Sequence, residues 1–432
     1  MTTTRAARIG VLAAMLALFL IRVDGWGLGG YRVDLDVYRL GTLNWLHGLP
    51  LYGPLPPTRS GAQLLFTYPP FALLALSPLA LLPYWVADAL LTVGSVGAFG
   101  WTARVFLARS GHRPDERWVA LVPLLLLLEP LRETLGYGQV NALIMAVVAT
   151  DCLRPEDRYA RGFWVGVMAA VKLTPLVFLL FFLVGRQWRA ARTVLVGFGL
   201  ATGLGFVLDP STSWQYWTRI VFQARRIGPP QYAGNQSVTG ILARLGLTGG
   251  PATACWLVVS VLLTAVAVRG MAQAMAAGRT VRALSLCSVL GLLVSPISWS
   301  HHWVWAVPAA LVLLADGVSE RRRAYVVAGV AALAVLALGP QRWLPSASDR
   351  ELQWAWWQQL VGSSYPLLAS ALLVGAARRA SPATRCAEPR NGPRWRRARW
   401  RSARPAFRPR PVALRPGPAR GPQSPPSRAG GR

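Results

Sequence analysis

Residues 162–184 read GFWVGVMAAVKLTPLVFLLFFLV, and this stretch decides the fold class. It is apolar except at Lys172 and Thr174, and arginines bound it on both sides, in clusters over 154–161 and 186–192. Apolar runs of roughly 17 to 25 residues cross a bilayer once. Arginine in short loops marks the cytoplasmic side, so with both ends basic this run must enter the membrane and return. It is short for two full helices, and Lys172-Leu173-Thr174-Pro175 supplies the break, because proline ends an α-helix from within. The reading is two half-length helices meeting at a polar turn. A membrane tolerates such a break where the exposed backbone lines a polar cavity.

The same alternation runs outward in both directions. Further arginine clusters lie at 104–117, 269–282 and 321–323, and from 378 onward. With all of them cytoplasmic, the segments 24–67, 129–139, 209–237, 295–303 and 340–359 face outward. Of 432 residues, 53% are hydrophobic and 15% charged, with a mean hydropathy of +0.37. Soluble domains carry about a quarter charged residues, so a soluble globular protein is excluded. The expectation is an all-α polytopic membrane protein, a multi-span helical bundle of about 10 to 13 spans with an outward-facing cavity. Residues 71–107 are too long for one helix and contain Pro78 and Pro83, so part of that run is re-entrant or juxtamembrane. Residues 9–21 follow Arg5 and Arg8 with no A-x-A-like cleavage site, and read as an uncleaved first span.

Charge divides the chain in two, a transmembrane domain over 1–378 and a tail over 379–432. From Arg378 the chain carries sixteen arginines against the single acid Glu388, interleaved with Pro, Gly and Ser. Such a composition buries no core and is expected to stay disordered. The net charge of +29 thus resides in short loops and this tail, which points to a cytoplasmic segment on anionic membrane lipids and not to nucleic acid. Cys152, Cys255, Cys287 and Cys386 show no CxxC spacing, so neither a zinc site nor a structural disulfide is indicated.

The polar residues worth weighing collect in the outward segments. Asp34, Tyr38 and Thr42 share one helical face by i,i+4 spacing, with Asp36 between them. Leu35, Leu43 and Leu46 on the other flank suit a helix lying on the membrane surface. Solvated, helix-capping acids are the bland reading of Asp34 and Asp36. The chain has only 17 acids, however, and a carboxylate at headgroup depth can act as a general base on an acceptor hydroxyl. His301 and His302, two of four histidines, stand among Trp299, Trp303 and Trp305. That is either an interfacial aromatic belt or a site for phosphate oxygens and sugar hydroxyls, with tryptophan faces for the sugar ring. The adjacent pair alone makes a poor metal site. Lys172, the single lysine, lies in an apolar segment, where a cation snorkels or serves a function, here toward an anionic lipid phosphate. Arg219, Arg225 and Arg226 are further phosphate candidates, explained equally well as a solvated loop face. Tyr68, Gln139, Asn141, Asn235 and Gln236 complete the outward polar set.

Taken together, DLDVYRLG (34–41) with GLPLY (48–52), FTYPPFALLALSPLALLP (66–83), GYGQVN (136–141), GVMAAVKLTP (166–175), NQSVTGIL (235–242) and SPISWSHHWVW (295–305) carry a family resemblance. From about Val33 to Trp305 the chain resembles the actinobacterial polyprenol-phosphate-mannose-dependent α-(1→2)-mannosyltransferases, glycosyltransferase family 87. The resemblance implies a GT-C fold with the catalytic acid in the first outer loop. It implies a polyprenyl-phosphate-mannose donor, a glycolipid or lipoglycan acceptor, and an α-linked product formed with inversion. No cofactor is implied beyond the lipid-linked sugar itself. Carried over, the acid of the D-x-x-V-Y pattern is Asp34, with Asp36 at the variable position. One of His301 and His302 acts near the sugar or phosphate. Substrate contacts are expected from Asp36, Tyr38, Tyr68, Gln139, Asn141, Lys172, Asn235, Gln236, Trp299 and Trp303. A lipid or sugar transporter is the rival. It calls for inverted repeats with matching broken helices and for acids within spans, whereas the acids here cluster in loops.

Overall fold

The computed structural model describes residues 31–112, 125–155, 160–346 and 348–378. The expected first span over 9–21 and the arginine-rich tail over 379–432 lie outside these residues. The described residues form helices and connecting turns. They begin with α1 (Val33–Leu46), α2 (Phe71–Leu81), α3 (Tyr84–Arg109), α4 (Glu129–Tyr137) and α5 (Asn141–Cys152). Next come α6 (Phe163–Val171), α7 (Phe178–Val184), α8 (Trp188–Leu208) and α9 (Pro210–Thr218). Then follow α10 (Val238–Arg244), α11 (Gly249–Ala276), α12 (Thr280–Val294), α13 (Ala306–Ser319), α14 (Arg323–Leu338), α15 (Trp356–Gly362) and α16 (Ser364–Ala377).

Among the described residues, five helical segments are long and apolar enough to cross a membrane: 84–109, 188–208, 249–276, 300–319 and 323–343. α15 and α16, bent by 71°, make a sixth if they are one broken span. Four more apolar helical stretches, 71–81, 141–152, 174–184 and 280–294, fall short. At 1.5 Å per residue, the eleven residues of α2 reach only about 16 Å, half the hydrocarbon core. Among the described residues the full-length spans thus number five or six, against ten to thirteen expected of the whole chain, whose first span over 9–21 lies outside them. Prolines cut apolar runs that composition alone reads as continuous. Residues 71–107 divide at Leu82-Pro83, where Leu82 turns extended (ψ 155°) and α3 restarts beyond the proline. Residues 162–184 divide as their sequence implies. α6 stops at Lys172, whose backbone is extended (φ −146°, ψ 123°), and a 3₁₀ turn over Thr174–Val177 leads into α7.

Small residues set a close helix contact. α6 packs on α8 with Gly166 against the backbone of Val194 and Phe198, and Gly197 against the backbone of Phe163. A Cβ at either glycine would run into main chain. Close backbone approach through small residues is how helices associate where burial offers no hydrophobic gain. The outer faces of α8 and α11 instead expose Leu195, Leu200, Val207, Val258, Val261 and Leu262, as lipid-facing helices should.

The first loop is tied down at several points. Arg32, fully buried, pairs with Asp88 of α3 at 3.0 Å. Trp45 Nε1 donates to Asp209 Oδ2 at 3.0 Å, and Phe66 fills the hollow left by Gly41. This packing corrects one expectation. Leu35 is wholly buried, not laid on the membrane, while Leu46 is exposed.

The Gly166 contact is open to a direct test. Gly166→Leu should lower the melting temperature of the detergent-solubilised protein, an overpacking cost of about 1–3 kcal/mol. Gly199→Ala in α8, where a Cβ meets nothing within 4 Å, should leave it unchanged. Equal melting curves for all three proteins would refute the close α6–α8 packing.

Candidate active site

A cavity of about 730 Å³ opens among α1, the 65–69 segment, Gln139, the break at Lys172, the 220–234 segment and residues 291–302. Its polar heart is assembled from elements far apart in sequence. α1 places Asp34 and Tyr38 one turn apart on its inner face. Gln139 follows Gly138, which ends α4 in the left-handed region (φ 73°). A side chain at Gly138 would collide with the Cβ atoms of Arg32 and Leu35, so glycine is required for Gln139 to reach α1.

Gln139 is the hub. Its Nε2 donates to Asp34 Oδ2 at 2.6 Å. Its Oε1 accepts from Tyr38 at 3.0 Å, Tyr68 at 3.2 Å and Lys172 Nζ at 3.5 Å. Tyr38 and Tyr68 also share a hydrogen bond of 2.8 Å. The extended turn at Lys172 directs its ammonium into this group. Nζ donates to Asn141 Oδ1 at 2.8 Å, lies 3.3 Å from His302 Nε2, and sits 5.3 Å from the centre of the Tyr68 ring. Among the described residues, no carboxylate forms an ion pair with Lys172. Neutral oxygens, a ring face and a histidine lone pair solvate it, as a buried ammonium requires. Asp34 is the lone carboxylate among the lining residues. Burial pushes its carboxyl up to about 6, with the Gln139 bond and the Lys172 charge pulling the other way. That value suits a proton acceptor working near neutrality.

The two histidines occupy different positions. Thr134 Oγ1, at 2.9 Å, and Asn141 Nδ2, at 3.2 Å, donate to the His301 carbonyl and so fix this 3₁₀ turn (Ser300–Trp305). The His301 ring meets Tyr137 edge-on at 5.2 Å, and its Nε2 is buried without a partner. The residue as a whole lines the cavity. His302 instead faces Lys172.

Asp34, Tyr38, Tyr68, Gln139, Lys172, Trp299, His301 and His302 all line the cavity. The remaining expected contacts lie elsewhere. Asp36 is buried and turned to the opposite flank, where its Oδ2 accepts from the Arg59 amide at 2.9 Å and from Tyr31 at 3.3 Å. Asn141 lies just behind Lys172. Asn235 takes the Ser298 amide at 3.0 Å, and Gln236 donates to the Ala233 and Gly362 carbonyls at 2.8 and 2.7 Å. Both are fully buried and clamp the 233–237 turn to residues 298–300. Trp303 is core, packed on Tyr365 at 5.3 Å between ring centroids. Of the three loop arginines, Arg226 alone reaches the cavity.

Sequence reasoning passed over Arg342 and Tyr137, which also line the cavity. Arg342 pairs with Glu129 at 3.0 Å and Glu133 at 2.5 Å, and Glu129 accepts from Tyr365 at 2.9 Å. The available signal was Glu129 and Glu133 one turn apart on α4, a pair that calls for a cation. Nothing in the sequence says which of 45 arginines supplies it.

The model of glycosyltransferase family 87 matches residues 66–296. A polyprenol-phosphate-mannose-dependent α-(1→2)-phosphatidylinositol mannoside mannosyltransferase of Mycobacterium tuberculosis is 37% identical over 84% of this chain and 89% of its own. A protein of the same description from Mycolicibacterium smegmatis is 36% identical over 81% and 85%. Among solved structures, ArnT from Cupriavidus metallidurans, bound to undecaprenyl phosphate, aligns with 87% of this chain and 78% of its own at 17% identity and a TM-score of 0.39.

The arrangement fixes the sign of one electrostatic coupling. Lys172→Met removes the positive charge that holds the Asp34 carboxyl down, so the midpoint near 6 should rise. Infrared titration of the protonated-carboxyl band that Asp34→Asn abolishes reads this directly. A midpoint that stays put would place Lys172 outside electrostatic reach of Asp34.

Proposed function

The chain belongs to glycosyltransferase family 87, and on that premise we propose that it transfers mannose from polyprenyl-phosphate-mannose to a phosphatidylinositol mannoside. The new bond is α-(1→2), formed in a GT-C-type bundle without a metal or soluble cofactor. What carries the reading is the cavity's charge pattern, a single carboxylate, Asp34, joined through Gln139 to a single ammonium, Lys172. A retaining double displacement needs two carboxyl groups about 5 Å apart. Asp36 faces away, which favours inversion in one displacement.

In that step the acceptor hydroxyl oxygen attacks the anomeric carbon while Asp34 takes its proton. The bond from the anomeric carbon to the phosphate oxygen breaks, and polyprenyl phosphate leaves with the electron pair. Lys172, with a histidine beside it, neutralises the developing phosphate charge from a fixed position, the arrangement that gives electrostatic catalysis its advantage over water. Tyr38 and Tyr68 hold Gln139, and Gln139 orients the base. The apolar wall formed by Leu64, Leu65, Val177, Ile220, Val221 and Val294 suits the prenyl chain.

Asp34→Asn should abolish transfer in protein that still inserts and folds, assayed with radiolabelled polyprenyl-phosphate-mannose. Lys172→Met should weaken use of the donor by roughly ten- to a hundredfold, the worth of a charge-assisted hydrogen bond. Lys172→Arg should recover only part of it, because a planar guanidinium places its donors differently. A fully active Asp34→Asn protein sinks the mechanism.

The positive-inside distribution of arginine supports a cavity on the extracytoplasmic face and a C-terminus in the cytoplasm. In a background with the native cysteines replaced by serine, Ser60→Cys on the first loop should react with an impermeant maleimide on intact cells. Ser319→Cys, beside Arg321–Arg323, should react only after lysis. The reverse pattern would invert the topology.

A further inference from the structure

Four cationic or potentially cationic groups besides His302 border the cavity: Lys172, His301, Arg226 and Arg342. Their surroundings differ. The charge of Arg342 is spent on two carboxylates, Glu129 and Glu133. Lys172 is bound up with Asn141, Gln139 and His302 beside the catalytic base. Arg226 has neither arrangement. It follows α9 on a 3₁₀ turn (Ala224–Ile227), and one guanidinium nitrogen donates to the Tyr52 carbonyl at 2.7 Å. Among the described residues it forms no ion pair, and its Nε is buried with no acceptor. The neighbouring acid Asp209, which also acts on Tyr52, is already occupied by Trp45, Ser211 and Thr212. Arg219 and Arg225 on the same segment are exposed and do not line the cavity.

A guanidinium held by one carbonyl, bordering a cavity and without a carboxylate partner among the described residues, has terminal N–H groups left to receive an anion. Position separates this anion from the one at Lys172. Lys172 shares Gln139 with Asp34 and so stands where the glycosyl phosphate bond must break. Arg226 stands on the 220–229 wall, among Gln223, Ala224, Ile227 and Pro229.

We infer that Arg226 binds a second phosphate, the phosphodiester of the phospholipid acceptor, and so recognises the acceptor as a glycerophospholipid and not only as a mannoside. This rests on the function proposed above and extends it. The donor contributes one phosphate, held at Lys172. An acceptor built on phosphatidylinositol contributes another, several bonds away from the hydroxyl that Asp34 activates. Two anions in one cavity repel each other unless each has its own cation, and the structure supplies one for each.

The test compares Arg226→Gln and Arg226→Lys with the parent. Transfer is measured by titrating phosphatidylinositol mannoside at saturating polyprenyl-phosphate-mannose, and then the reverse. Binding of phosphatidylinositol mannoside in nanodiscs is measured without donor, alongside an uncharged alkyl mannoside of matched chain length. Arg226→Gln should raise the KM and the dissociation constant for the phospholipid by about tenfold or more. It should leave the donor KM and binding of the uncharged mannoside unchanged, and Arg226→Lys should recover part of the loss. An equal rise in donor KM would assign Arg226 to the donor phosphate and overturn the proposal. Unchanged phospholipid binding in Arg226→Gln would overturn it as well. Failure of the parent itself to use polyprenyl-phosphate-mannose would defeat the proposed reaction, while the binding comparison still decides the role of Arg226.

Discussion

One ammonium group, buried in an apolar bundle, dictates much of what surrounds it. Lys172 cannot remain charged without replacing the water it has lost. The structure supplies Asn141, Gln139, Tyr68 and His302 for the purpose. Those four come from the N-terminus of α5, the turn after α4, the segment before α2 and the 3₁₀ turn before α13. Each must be held at its own place for the shell to close, so the demand spreads. Gly138 keeps its left-handed turn, the 295–305 stretch is clamped by Asn235 and Gln236, and α6 is interrupted where a helix would have turned the lysine away. A polar break that looks like a defect in a transmembrane helix is the element around which the cavity is organised.

Much of this was legible in the sequence, and the residues show why. Lys172 and Pro175 in one apolar run announce a broken helix without any knowledge of neighbours. Asp34 and Tyr38 declare a shared face by spacing alone. These are local signals, carried by period and by the cost of a polar group in an apolar setting. What resisted reading was direction in space. Asp36 lies two residues from Asp34 and is equally acidic, yet a helix turns it by about 200° and gives it to Arg59. Asn235 and Gln236 are polar, outward and clustered, as ligand-binding residues are, but their partners are backbone groups some sixty or more residues away. Trp303 carries the composition of an interfacial belt and sits in the core. The division of apolar runs into spans resisted reading for a related reason. Apolar length is readable, while whether a proline ends a span or bends it depends on what packs beside it.

The second charged group of the cavity wall follows a different logic from the first. Arg342 meets two carboxylates of α4 while Tyr365 of α16 caps one of them. This cluster ties the C-terminal helices to the cavity, since α4 lies beside the 3₁₀ turn that carries both histidines. Residues beyond 296, where the family match ends, are therefore part of the site's frame. Glu129 is wholly buried, and removing its cation would leave an uncompensated carboxylate inside the protein, a far larger penalty than the pair itself contributes. Such a cluster holds geometry more than it supplies net stability.

The amide of Gln139 has a consequence of another kind. It joins Asp34 to Lys172 and the two tyrosines by hydrogen bonds, so charge on one side is felt on the other. An amide, however, neither takes up nor releases a proton near neutral pH, and with its nitrogen on Asp34 and its oxygen on the tyrosines and the lysine it cannot flip without breaking every contact. The link transmits field and blocks conduction. A proton held on Asp34 therefore has no path through this amide toward Lys172.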